Sequence, residues 1–172
     1  DEVEELRRKV EEILRRIRED VRKSIEDHRD VNRRVLEAVR RSTKRNKDVV
    51  DRLRDEDRGG EEAARTLERT LKRSEELSRE LVERSRKTVE ESRRRSKRLV
   101  DELKRVVKEV KDGGVEERIV KRLEDEVRKL VDEMRKLDEE LTRNVDEVRR
   151  EAERLDKENR DENRKLKEEL KK

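Results

Sequence analysis

The sequence predicts an all-α fold, three long antiparallel helices running up, down and up in a left-handed coiled-coil-like bundle, and three observations carry it. Apolar residues recur at alternating steps of three and four along nearly the whole chain, the spacing that lines one face of a helix. All four glycines fall in two pairs, Gly59-Gly60 and Gly113-Gly114, each just past a long heptad-like stretch, where a helix end favours a residue tolerant of positive φ. Connections this short require antiparallel neighbours. The chain then reads as one helical-bundle domain over 1–172, with helices over roughly 3–58, 61–112 and 115–170 and loops at the glycine pairs. At about 1.5 Å per residue each helix is on the order of 80 Å long.

Helix 1 carries the seam Val3, Leu6, Val10, Ile13, Ile17, Val21, Ile25, His28, Asn32, Val35, Val39, Ser42, Asn46, Val49 and Leu53. Consecutive steps of four at Ile17, Val21 and Ile25 form a stutter, which locally unwinds a left-handed supercoil. Helix 2 opens with Glu61-Glu62, suited to the positive end of the helix dipole. Its seam is Leu67, Leu71, Ser74, Ser78, Leu81, Ser85, Thr88, Ser92, Ser96, Leu99, Leu103, Val106 and Val110. Helix 3 opens likewise with Glu116-Glu117 and continues through Ile119, Leu123, Val127, Leu130, Met134, Leu137, Leu141, Asn144, Val148, Ala152, Leu155, Asn159, Leu166 and Leu170.

Polar residues interrupt these seams at matched depths. If helices 1 and 2 fold back about the first glycine pair, facing residues have numbers summing to about 120, by the symmetry of an antiparallel hairpin. Asn46 with Ser74, Ser42 with Ser78, Asn32 with Thr88, His28 with Ser92 and Ser24 with Ser96 all meet that condition. Helix 3, parallel to helix 1, aligns Asn32 with Asn144 and Asn46 with Asn159 under nearly one offset. Two three-way layers are expected, Asn32/Thr88/Asn144 and Asn46/Ser74/Asn159. By the same alignment His28 and Ser92 face Leu141, Ser42 and Ser78 face Leu155, and Ser85 faces Val35 and Val148.

A buried amide or hydroxyl without a partner costs about 1–3 kcal/mol, whereas a satisfied network is near neutral and penalises wrong registers. Specificity of helix association is therefore the expected role of Ser24, His28, Asn32, Ser42, Asn46, Ser74, Ser78, Ser85, Thr88, Ser92, Ser96, Asn144 and Asn159. The competing reading leaves some of these positions in solvent, carrying whichever polar residue suits a surface.

Composition bears on origin. The chain lacks Pro, Cys, Phe, Tyr, Trp and Gln, while 60% of its residues are charged and its apolar positions are almost all Leu, Val, Ile and Ala. That selection favours helix propensity and a clean surface. With its Gly-Gly loops, Ser/Thr/Asn/His seam residues and Arg/Lys/Glu/Asp surface, the whole chain resembles de novo designed helical bundles with modular buried hydrogen-bond networks. That resemblance implies a single-chain bundle, a homo-oligomer, or the three-helix subunit of a heterodimer in which four helices are divided between two chains.

Doublets such as Ile13-Leu14, Val35-Leu36, Val49-Val50, Leu81-Val82, Leu99-Val100, Val106-Val107, Ile119-Val120 and Leu130-Val131 widen the apolar stripe toward the face of a larger bundle. The expected function is accordingly a structural association module that pairs with a complementary helix or with another copy. The alternative is a self-contained monomeric three-helix scaffold.

Other classes find little support. Mean hydropathy of −1.53 would suggest disorder, but the periodicity overrules it. Lys plus Arg number 54 against 50 Asp plus Glu, so the net +4 is the small difference of two interspersed populations and says little about partners. His28 is the sole histidine, too few for a metal site, and its expected role is a neutral network member rather than a pH switch. Catalysis lacks a thiol, a histidine-anchored nucleophile and a phosphate loop, so no enzyme, cofactor, metal site or small-molecule substrate is expected. Basic runs at Arg93, Arg94, Arg95, Lys97 and Arg98, and at Arg40, Arg41, Lys44, Arg45 and Lys47, could meet phosphates, a remote alternative. No aromatic residue is present for base stacking, so specific nucleic-acid binding is not expected. The apolar stripes are needed in the core, which argues against membrane binding, and no signal peptide is recognisable, so soluble recombinant expression is expected.

Overall fold

The computed structural model describes residues 2–56 and 60–171. They form α1 (Glu2–Asp55), α2 (Glu61–Asp112) and α3 (Glu117–Leu170), with no strand among the described residues. The fold is all-α, with three long antiparallel helices. α2 runs over the expected span. Gly59 and the last expected turn of helix 1, residues 57 and 58, lie outside the described residues.

Local chemistry sets the ends. The Glu56 N–H donates to the Arg52 carbonyl at 3.0 Å, closing the last turn of α1. Gly60, at φ 111°, accepts the first bond of α2 from the Ala64 N–H. Gly114, at φ 76°, takes the left-handed conformation that ends many helices. α3 begins at Glu117 rather than at 115, because the carbonyl of Glu116 accepts the first bonds, from Ile119 and Val120 at 2.9 and 3.1 Å. Glu116 is thus the cap rather than part of the helix.

The contacts divide into two compact units. The first comprises Asp1–Arg29 and Lys87–Arg143, the second Asp30–Arg86 and Asn144–Lys172. Each contains one helical hairpin and a third helical segment. In the first unit, Val10, Ile13 and Ile17 of α1 pack with Leu103, Val106, Val107 and Val110 of α2 and Val120, Val127 and Met134 of α3. The second unit has two apolar clusters. One joins Val35, Val39, Leu81, Val148, Ala152 and Leu155; the other joins Val50, Leu53, Ala63, Leu67 and Leu166.

The stripe drifts from the expected seam at several levels. Val50 and Val120 are buried in place of Val49 and Ile119, the latter 45% exposed. Val89 and Val145 are buried, whereas Thr88 and Asn144 beside them are only half-buried. Spacing alone allows either neighbour, and burial takes the apolar one because its transfer from water is favourable. The doublets are largely absorbed by this packing. Of their sixteen residues only Ile119 and Val131 are exposed.

Candidate functional site: a polar layer between apolar clusters

In the second unit, the two apolar clusters are separated along each helix by polar residues. Ser42, Thr43 and Asn46 lie between Val39 and Val50 on α1; Ser74 and Ser78 lie between Leu67 and Leu81 on α2; Asn159 and Asn163 lie between Leu155 and Leu166 on α3. All seven are buried, and Asn46 and Asn159 are wholly inaccessible. Helix geometry places them there, since steps of three and four keep each on the face already committed to the core.

The hydrogen bonds are specific. Ser42 Oγ donates to Ser74 Oγ at 2.9 Å, and Asn159 Nδ2 donates to the same Ser74 oxygen at 3.3 Å. Asn46 Nδ2 donates to Asn163 Oδ1 at 2.9 Å, while Asn163 Nδ2 donates to the Leu67 carbonyl at 3.1 Å. Thr43 bonds back to the Val39 carbonyl, a local satisfaction open to any helical hydroxyl. Ser78 Oγ donates to Asp156 at 3.1 Å, and burial pushes the Asp156 carboxyl above its ordinary range, against the opposing effect of that hydrogen bond. Two acceptors, Oδ1 of Asn46 and Oδ1 of Asn159, are buried with no partner. Nearer the middle of the chain, the Ser85 hydroxyl donates to Asn32 Oδ1.

Asn159 meets Ser74 as expected, but α1 is displaced from the expected register by about one helical turn. Ser42 bonds Ser74 instead of facing Ser78, Asn46 bonds Asn163 instead of joining Asn159 and Ser74, and Ser85 meets Asn32 instead of Val35 and Val148. The expected alignment matched like residues with like, whereas loop length and side-chain reach fix the depth at which helices meet. Asn163 escaped notice although a signal was present. The step from Asn159 to Leu166 spans seven residues, two turns without a core residue, and Asn163 fills the gap.

The first unit holds a smaller polar group. Ser24, His28 and Ser92 are buried there, and Ser96 is half-buried. Arg95 donates to Asp20 at 3.0 Å and to Ser24 Oγ at 3.3 Å. Ser24 is thereby tied to an ion pair instead of to Ser96. Burial lowers the pKa of His28, and a hydrogen bond to the backbone of Leu141 partly offsets that effect. The level of Leu141 thus offers His28 a polar partner after all, supplied by the main chain.

Ion pairs between helices line both units. Arg16–Glu102, Arg93–Asp138 and Arg95–Asp20 at 3.0, 2.8 and 3.0 Å serve the first. Arg54–Glu169, Arg160–Glu75 and Lys167–Glu68 at 3.1, 3.2 and 2.8 Å serve the second. Hydrogen bonding to Asp138 raises the Arg93 pKa, and hydrogen bonding to Lys167 lowers that of Glu68. Most of these groups are exposed, where solvent screening leaves a pair little weight, whereas Asp20 and Glu75 are largely buried.

Among the described residues no group of three or more His, Cys, Asp or Glu is placed to hold a metal ion, and no helix is long and apolar enough to cross a membrane. No protein-family model matches the chain, and no curated protein matches it. Among solved structures it is similar to a computationally designed three helix bundle, over 98% of this chain and 88% of that one, with 18% identity and a TM-score of 0.32. The three-helix fold described above stands on its own contacts and takes nothing from that likeness.

Proposed function

We propose that the chain is a self-contained, non-enzymatic helical scaffold whose buried polar layer holds its helices in one register. The observation carrying this reading is the Ser42, Ser74 and Asn159 contact beside the Asn46, Asn163 and Leu67 contact, in which all three helices meet. Apolar side chains tolerate a slip of one turn, because every heptad offers the same kind of surface. A slipped register would strand these amides and hydroxyls, at about 1–3 kcal/mol for each group.

Crosslinking tests the reading directly, since the chain has no cysteine of its own. Arg54 pairs with Glu169 in the observed register, and a slip by one turn would bring Lys165 opposite. The pair Arg54→Cys with Glu169→Cys should oxidise much faster than Arg54→Cys with Lys165→Cys. Converting Asn46, Asn159 and Asn163 to Leu and Ser74 to Ala should narrow that preference while helicity persists. An unchanged preference refutes a register role for the layer.

A second reading, pairing with a complementary helix or another copy, draws support from the first unit. Among the described residues Val3, Ile119 and Val131 are the exposed large apolar ones, and Val3 and Ile119 line a groove of about 380 Å³ with Leu14, Val115 and Leu123. Light scattering separates the two readings. A mass constant at 21.0 kDa over a wide concentration range supports the scaffold, and a rising mass supports association.

A further inference from the structure

In the second unit, α1 and α2 flank a groove of about 490 Å³ lined by Arg45, Asp48 and Arg52 of α1 and by Arg73 of α2, with Ser42 and Ser74 beneath them. A count of protons leaves the serine pair with one donor to spare. Two hydroxyls share a single hydrogen bond, and Ser74 Oγ also accepts from Asn159, so one proton of the pair remains to be donated whichever way the bond runs. Both serines are buried and both line the groove, so an acceptor placed in it would complete the pair.

Charge points the same way. Among the described residues no carboxylate lies within 4.0 Å of the Arg45, Arg52 or Arg73 guanidinium groups. In two other grooves arginines of the wall are already paired. Arg7, beside Val3, pairs with Glu11. In the groove between α2 and α3 of the first unit, Arg93 pairs with Asp138 and Arg135 with Asp132. Three guanidiniums against the one carboxylate of Asp48 leave this groove with a net charge of +2. Val49 and Leu77, half-buried, complete its wall with apolar surface.

We propose that this groove binds the dianion of an organic phosphate monoester. Arginine forks match phosphate oxygens. The spare serine proton supplies a neutral donor from below, and Val49 and Leu77 take the carbon part. This goes beyond the register role, since the serines would both join helices and meet a ligand.

The test is titration of the intact chain with phenyl phosphate and with inorganic phosphate at physiological salt, followed through arginine side-chain NMR signals. Saturating shifts confined to Arg45, Arg52 and Arg73 are expected, with phenyl phosphate binding at least threefold tighter than inorganic phosphate. Arg45→Gln with Arg73→Gln should weaken binding tenfold or more at unchanged helicity. Arg94→Gln with Arg98→Gln, at exposed sites in the first unit, should change it less than twofold. Shifts that never saturate, or equal losses in both double variants, overturn the site. Equal affinity for the two phosphates overturns the monoester assignment.

Discussion

Replacing Asn163 by Leu isolates the energetics of the polar layer. Leu branches at the same carbon as Asn but can neither accept the Asn46 amide bond at 2.9 Å nor donate to the Leu67 carbonyl at 3.1 Å. The Leu67 carbonyl keeps its own helix bond, so the main loss falls on Asn46, whose Oδ1 already lacks a partner. The unpartnered oxygen costs the same before and after, so only the Nδ2 donor is newly stranded, at about 1–3 kcal/mol, and the added apolar side chain offsets part of this, leaving a net loss of about 1–2 kcal/mol. Asn46→Leu alone should cost less, since it removes that unpartnered oxygen and leaves Asn163 its bond to Leu67. Combined with Asn163→Leu, it removes the buried amides altogether, and replacing both partners by apolar groups is near neutral or stabilising. Crowding from the larger side chains enters the single and double variants alike. The coupling energy from the double-mutant cycle is therefore the diagnostic, expected at about 2 kcal/mol. Guanidinium unfolding followed at 222 nm measures it, with hydrogen exchange of second-unit amides as the local readout. Additivity within about 0.5 kcal/mol would refute the claim that the two asparagines satisfy one another.

Three further outcomes are expected. His28 has a folded-state pKa below its ordinary 6.5 because burial disfavours its charged form, so the unfolded chain binds the proton more readily. Its contribution is intact above about pH 6.5 and is lost as pH falls from there through the folded value. Asp156 has the opposite sign, since its pKa is raised by burial and its contribution is lost as pH rises through the folded value. Stability measured against pH should thus flatten on the acid side of neutrality in His28→Leu, and a slope of opposite sense should vanish in Asp156→Asn; unchanged profiles would contradict both assignments. Gly114→Ala should destabilise by about 1–2 kcal/mol from backbone strain alone, because φ is 76° and a Cβ there would meet nothing within 4 Å. A cost under about 0.3 kcal/mol in thermal or denaturant unfolding would mean that the turn relaxes freely.

The helices were legible because their signals are local and repeated. Glycine pairs and steps of three and four predict α2 over its observed span and miss the start of α3 only because Glu116 caps it. Burial was legible at Ser24, His28, Ser42, Asn46, Ser74, Ser78, Ser85, Ser92 and Asn159, while Asn32, Thr88, Ser96 and Asn144 are half-buried. Pairing was legible only between Ser74 and Asn159; the partners of α1 were not, because a shift of one turn preserves every face. Only side-chain reach distinguishes Ser42 meeting Ser74 from Ser42 meeting Ser78. Asp156 and Arg95 stayed out of sight for another reason. Charged residues fill most of the surface, and nothing in spacing marks the few that turn inward to a serine.

The division of each unit into a hairpin and a third segment bears on the order of folding. A hairpin closes over a short connection, whereas its third segment must be captured from a distant part of the chain, at a larger loop-closure cost. In the second unit that capture brings α3 to α1 and α2, and with it Asn159 to Ser74 and Asn163 to Asn46. Contacts that await this capture are expected to be weakly formed in the transition state, which φ-values near zero for Asn159→Ala and Asn163→Ala would check. Interactions absent from the transition state leave the folding rate almost untouched and slow the reverse reaction. On that expectation the asparagines of α3 govern how long the folded state lasts, more than how quickly it is reached.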